Sequence, residues 1–222
     1  MTSTRGSSIL VAVGLLLAAT GAVLTHSNNQ PEYGEVPTST ALGTTTPPAV
    51  SEPPAGSTRA QRRATASGPR RTVVPAADRM PVRVWSGAIG ADAQVVPVGV
   101  RADRSLVLPP AHQVGWWIGG AQPGERRGTV VLAGHVDDEN GNQGALYDLS
   151  ALRRGDRLFV DTASGRTTYQ VVAMRSFPRQ RLPADLFDQT TTHRLVVLTC
   201  GGTFHPGRGY SDNIAAYAVP VG

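Results

Sequence analysis

A chain of 222 residues with 25 Gly, 17 Pro and a single Cys has room for one or two domains and none for an intramolecular disulfide. Net charge is +5 and every basic residue is Arg, which would suit an anionic surface. Aromatics are only 5%, and no aromatic-plus-basic stripe of the kind that holds single strands is present, which argues against a nucleic-acid partner. With no C-x-x-C pair, a cytosolic dithiol redox role is also disfavoured.

Ile9–Leu24 is a 16-residue run without a charge. With Ser7, Ser8 and Thr25 it reaches the lower limit for a membrane-spanning helix. Residues 1–25 are read as a retained single-pass anchor in the cell membrane, with cleavage near Ala18–Ala22 as the alternative. Arg5 before the span places the remainder outside the cell. Residues 26–78 are rich in Pro, Thr, Ser and Gly, with too few large apolar residues to repay ordering, and read as a disordered tether. Its basic cluster, Arg59, Arg62, Arg63, Arg70 and Arg71, reads as solvated linker, with contact to membrane or wall polymer as the alternative. A chain starting near Arg79 is expected to fold and act without it.

From residue 79 to 222 the texture is that of a folded domain. Pro81–Ser86 alternates as a strand, and Ala93–Val100 is a second, in which Pro97 marks an edge or a bulge. Ser105–Leu108 is a short strand candidate, followed by Gly115–Ile118 and the apolar run Thr129–Ala133, which ends in Gly134-His135. Ala145–Leu152 has helical spacing. Arg157–Asp161 and Thr168–Met174 flank the hairpin signal Ala163-Ser164-Gly165, and Pro183–Asp188 suits one helical turn. Leu195–Thr199 is a buried strand ending at Cys200 with Gly201-Gly202 behind it, and Ile214–Val221 is the last strand. About eight short strands with one or two short helices suggest a mostly β fold, a closed or nearly closed barrel.

Two apolar strands therefore end in a reactive side chain, one in His135 and one in Cys200. Parallel or neighbouring strands with matched ends would bring imidazole and thiol together, and an imidazole supplies the base that activates a thiol. The other histidines lack that setting: His26 and His112 lie in tether or loop, His193 follows three threonines, and His205 is a loop residue. Arg208 lies on the short connection after Cys200, and a hairpin-like return would carry its guanidinium over the thiol as an oxyanion donor. Arg194 begins the strand that Cys200 ends, about 20 Å away at ~3.3 Å per residue, and lies at the wrong end. Asp137, Asp138 and Glu139 read as solvated or substrate-loop residues rather than calcium ligands, and no metal or cofactor is expected.

The combination Val131-Leu-Ala-Gly-His135, about 65 residues, Leu198-Thr-Cys200 and an Arg shortly after resembles the sortases, cysteine transpeptidases of Gram-positive cell surfaces. The likeness is nearest to the class F group of actinobacteria, through Val114-Gly-Trp116, Pro123-Gly124, Gly144-Ala-Leu146, Gly155-Asp156, Leu198–Gly202, Phe204, Tyr210 and Asp212-Asn213. It covers about residues 80–222. The resemblance implies an eight-stranded sortase-type β-barrel. It also implies attack by Cys200 on an LPXTG-like sorting signal near the C-terminus of a surface protein, then transfer of the thioacyl group to a cell-wall precursor amine. His135 would protonate the leaving amine and deprotonate the incoming one, Arg208 would stabilise the oxyanion, and Thr199 would contact substrate. The chain departs from the family in carrying Val196-Val197 before Leu-Thr-Cys and Ser211 where some relatives place an Arg. Two rival readings share the same residues: a hydrolytic thiol peptidase, and a non-enzymatic surface-binding domain in which Cys200 is inert.

Overall fold

The computed structural model describes residues 32–37, 75–103 and 105–222. The expected membrane anchor and most of the expected tether lie outside these residues, and no helix among the described residues is long and apolar enough to cross a membrane.

Eight strands form the fold: β1 (Pro81–Ser86), β2 (Ala91–Val98), β3 (Gln113–Trp117), β4 (Thr129–Gly134), β5 (Arg157–Thr162), β6 (Gly165–Pro178), β7 (Arg194–His205) and β8 (Gly209–Pro220). They close into a barrel in the order β1-β2-β3-β4-β7-β8-β6-β5. The two β4 and β7 runs that read as unbroken apolar segments do so because both of their faces are covered. Val130, Leu132, Leu195 and Val197 point into the barrel with Trp116, Tyr169 and Met174. Val131, Ala133, Val196 and Leu198 point outward, under a second layer that contains Leu186, Tyr217, Leu106, Trp117 and Phe187. Strands β4 and β7 are parallel and in register from Thr129↔Arg194 to Ala133↔Leu198.

Several expectations shift once the chain closes on itself. Ser105–Leu108 forms no strand; Leu106 makes one bridge to Val100 inside the β2–β3 connection. The helical spacing at 145–152 and at 183–188 resolves into 3-10 turns, Leu149–Ala151 and Ala184–Phe187, and a third such turn, Ala77–Arg79, precedes β1. All three are too short to repay the nucleation cost of an α-helix, and the first two are links between barrel strands. Pro97 faces Trp116 across β3, but the β1 ladder stops at Gln94, so the missing N–H of Pro97 faces no partner strand. The hairpin signal holds: Thr162 pairs with Gly165 across a two-residue turn.

Cys200 is not the end of its strand. Strand β7 continues to His205 and pairs with β8 to the tip, with a register shift between Gly201 and Phe204. The glycines that suggested a turn instead make a bulge. Gly202 has φ 76°, and a Cβ there would collide with the Asp212 carboxylate and the Ser211 hydroxyl.

Residues 32–37, within the stretch read as tether, lie against the barrel. Past Gln170, β6 has no β5 partner, and Tyr33 takes that edge by exchanging hydrogen bonds with Met174, 3.2 Å from the Tyr33 amide and 2.9 Å to its carbonyl. Arg175 donates to the carbonyls of Tyr33 (2.7 Å) and Gly34, and Arg194 donates to that of Pro37 at 2.5 Å. Gly34 has φ 77° and lies so near the Val172 carbonyl that a Cβ would overlap it.

Candidate active site

The β4–β7 register leads the two sequence candidates toward the same end of the barrel. Ala133 faces Leu198, and the Thr199 hydroxyl donates to the Gly134 carbonyl at 3.0 Å, so the same register carried past the end of β4 would bring His135 level with Cys200, although Cys200 lines the outer-face cavity and His135 does not. Side chains alternate along a strand, so Cys200 shares the outer face with Leu198 and Val196, and His135 shares it with Ala133. Thr199 points the other way. Its hydroxyl joins the two strands just before Cys200, and Thr199 is also among the residues that line the cavity on which Cys200 opens.

On that outer face lies a cavity of about 970 Å³. Its floor is Ala133, Gly134, Leu198 and Cys200; Leu106, Leu108, Trp117, Leu182 and Phe187 give it apolar walls; Arg179, Gln180 and Asn213 add polar groups. Trp117 and Phe187 meet edge to face, with ring centroids 5.4 Å apart. A thiol half-buried beside such a cavity suits a nucleophile whose substrate arrives with apolar side chains.

Burial pushes the Cys200 thiol above its ordinary value; Arg179 pulls it down, and Asp137 adds to the upward push. The resting group is therefore the neutral thiol at neutral pH, and attack requires a base to take its proton. His135 is half-buried at the strand end opposite. Asp137, two residues on, accepts a 2.5 Å hydrogen bond from the Tyr210 hydroxyl, and burial followed by this carboxylate pushes that phenol up to about 12. Asp137 thus ties the loop after His135 to the start of β8, rather than standing in solvent. Asp138 is engaged within its own loop, accepting from the Asn140 and Asn142 amides at 2.8 Å each.

The remaining candidates fall elsewhere. Arg208 is exposed at the β7–β8 tip, and its main-chain carbonyl accepts from an Arg179 Nη. His205 is exposed near the same tip, and His112 is exposed before β3. His193 is buried just before β7, with Nε2 2.9 Å from the Tyr169 hydroxyl. Arg194 is 1% exposed and donates to the Thr129 hydroxyl at 3.0 Å and to the carbonyls of Pro37 and Asp185. The residue that reasoning from sequence missed is Arg179, which enters the cavity from the end of β6. It lies 21 positions before Cys200, in no motif, so nothing short of the fold could have singled it out.

A family model described as a sortase domain matches residues 87–221. Among solved structures, the chain is similar to a lid mutant of sortase A from Corynebacterium diphtheriae, with 17% identity, TM-score 0.51, and 69% of this chain and 74% of that one covered. It is also similar to sortase C-1 from Actinomyces oris, with 18% identity, TM-score 0.50, and 64% and 75% covered. Against sortase C1 of the group B streptococcal pilus island 1 the identity is 18% and the TM-score 0.48; the match covers 63% of this chain and 64% of that one, less than two thirds of its length. No curated protein matches the chain.

Proposed function

The chain belongs to the sortase family, whose members are cysteine transpeptidases, and we propose that it is a membrane-anchored, extracellular enzyme that cleaves an LPXTG-like sorting signal and passes the acyl part to a cell-wall amine. The observation that supports this reading is the parallel register of β4 and β7, paired through Ala133↔Leu198, which leads the segment that carries His135 toward Cys200, itself a lining residue of an apolar cavity. The class F character of the motifs favours an actinobacterial setting. The apolar run of residues 9–24 behind Arg5 supports the anchor, and the tether would carry the barrel clear of the lipid surface.

In this reading Cys200 gives its proton to His135 as its sulfur adds to the carbonyl carbon of the Thr–Gly-type bond. The tetrahedral adduct collapses, the C–N bond breaks, and the leaving nitrogen takes the proton from His135. A thioester to Cys200 remains. The acceptor amine then adds to the thioester carbon and loses its proton to His135. The C–S bond breaks, and the thiol is restored. The apolar walls at Leu106, Leu108, Trp117 and Phe187 would hold the apolar side chains of the signal.

The test is product analysis with a sorting-signal peptide, with and without an added amine, using the wild type and Cys200→Ala. The expected result is a thioester to Cys200 and a new amide when amine is present, with no turnover in the alanine variant. Hydrolysis alone, at a rate that added amine does not divert, would support a thiol peptidase. Substantial turnover by Cys200→Ala would remove the nucleophile from the reading.

A further inference from the structure

We propose that Arg179 supplies the cation that faces Cys200 and receives the oxyanion of its tetrahedral adduct, while Arg208 contributes only the main-chain carbonyl that holds Arg179 in place. The assignment rests on the thiol chemistry proposed above and deepens it.

Topology brings Arg179 to this place. Strand β8 lies between β6 and β7, and Asn213 pairs with Phe177 on one side and Cys200 on the other. Phe177 packs in the outer layer, and Arg179, two residues on, follows it on that face. Two strand spacings separate the β6 and β7 rows, about 10 Å, a span that a long arginine side chain reaches across. Arg179 also lines the same cavity as Cys200, whereas Arg208 does not.

The position of Arg179 is built rather than incidental. Its main-chain N–H donates to the Ser211 carbonyl at 2.9 Å, and its carbonyl accepts from Asn213 Nδ2 at 3.0 Å, so both main-chain groups are fastened to β8. One Nη donates to the Arg208 carbonyl. Gly209 makes room for that contact, since a Cβ there would press on the same Nη. A guanidinium has five N–H donors, and among the described residues this one has a single hydrogen bond, which leaves donors for a ligand. Arg179 also acts on the thiol already, pulling it down against burial.

The experiment uses the full-length chain and two readouts. One is the rate of thioester formation with an LPXTG peptide. The other is the pH dependence of Cys200 alkylation by iodoacetamide, which needs no substrate. Arg179→Ala is expected to slow acylation by ~10² to 10³-fold, the usual loss for an oxyanion donor, and to move the alkylation midpoint to higher pH. Arg179→Lys should keep the alkylation profile near wild type yet restore acylation poorly, because an ammonium lacks the planar fork. Arg208→Ala, which leaves its carbonyl in place, should stay near wild type in both. An acylation rate for Arg179→Ala equal to wild type overturns the assignment, and so does a loss confined to Arg208→Ala. If the wild type forms no thioester with the peptide, the sorting reading fails; an upward midpoint in Arg179→Ala then still supports the pairing with Cys200, and an unmoved one overturns it.

Discussion

Two arginines flank the buried part of β7, Arg194 as its first residue and Arg179 reaching the cavity of Cys200 from the end of β6, and the molecule treats them in opposite ways. At the Arg194 end the guanidinium is buried, and all three of its nitrogens donate to fixed acceptors: the Thr129 hydroxyl and the carbonyls of Pro37 and Asp185. The ring of Tyr217 lies 5.5 Å beneath it. At the Cys200 end Arg179 is exposed at a cavity mouth and held by one carbonyl. A buried cation with each of its three nitrogens engaged by the protein serves the fold; an exposed one with donors to spare can meet a ligand. The histidines differ likewise, with His193 buried against Tyr169 and His135 half-buried just past the end of β4.

This contrast is open to direct tests. His135→Ala should slow peptide acylation by ~10² to 10⁴-fold, the usual loss for a general acid–base group, with the thermal midpoint near wild type. A comparable drop in midpoint would mean that His135 belongs with the structural set. Arg194→Ala should do the reverse. Its removal leaves the buried Thr129 hydroxyl and two part-buried carbonyls without their donor and should cost on the order of 3 kcal/mol in denaturant unfolding, with the alkylation profile of the folded fraction unchanged. Deleting residues 1–37 removes one of the Arg194 acceptors and reopens the β6 edge at Met174. The loss expected against a chain starting at residue 26 is about 1–3 kcal/mol, one or two buried groups left unpaired; equal unfolding midpoints would return residues 32–37 to the tether.

The pH prediction follows from burial of the thiol. The folded Cys200 pKa is raised, so the alkylation midpoint of the native chain should lie above that of the urea-unfolded chain, which is expected near the ordinary thiol value of ~8.5. The folded state holds the proton more tightly, so this group's contribution to stability is fully present below the unfolded value and is lost as pH rises through the folded one. A native midpoint below the unfolded one would mean that Arg179 outweighs burial. The smallest effect is expected at His205→Ala, whose exposed side chain should be dispensable to both rate and midpoint.

Much of this was legible in the residues themselves. Continuous apolar runs at 129–133 and 195–199 marked β4 and β7 as neighbours buried on both faces, because a strand covered on both sides has no polar alternation. The strands, apart from the expected Ser105–Leu108 that does not form, and the hairpin at 163–165 followed from period and turn chemistry, which are local properties. Sequence proximity pointed to Arg208 as the third group, and the cavity is lined by Arg179 instead. Arg208 is eight residues from the thiol and Arg179 is 21, yet β8 inserted between β6 and β7 brings Arg179 to the cavity and leaves Arg208 at the tip. The bulge at Gly202, the docking of residues 32–37 and the burial of Arg194 were likewise decided by strands distant in the chain. Local pattern says which stretches form strands and which of their faces are apolar. Which edge stays open, which carbonyl meets which guanidinium and which cation faces the thiol depend on the order in which the barrel closes, and that order is a property of the whole chain.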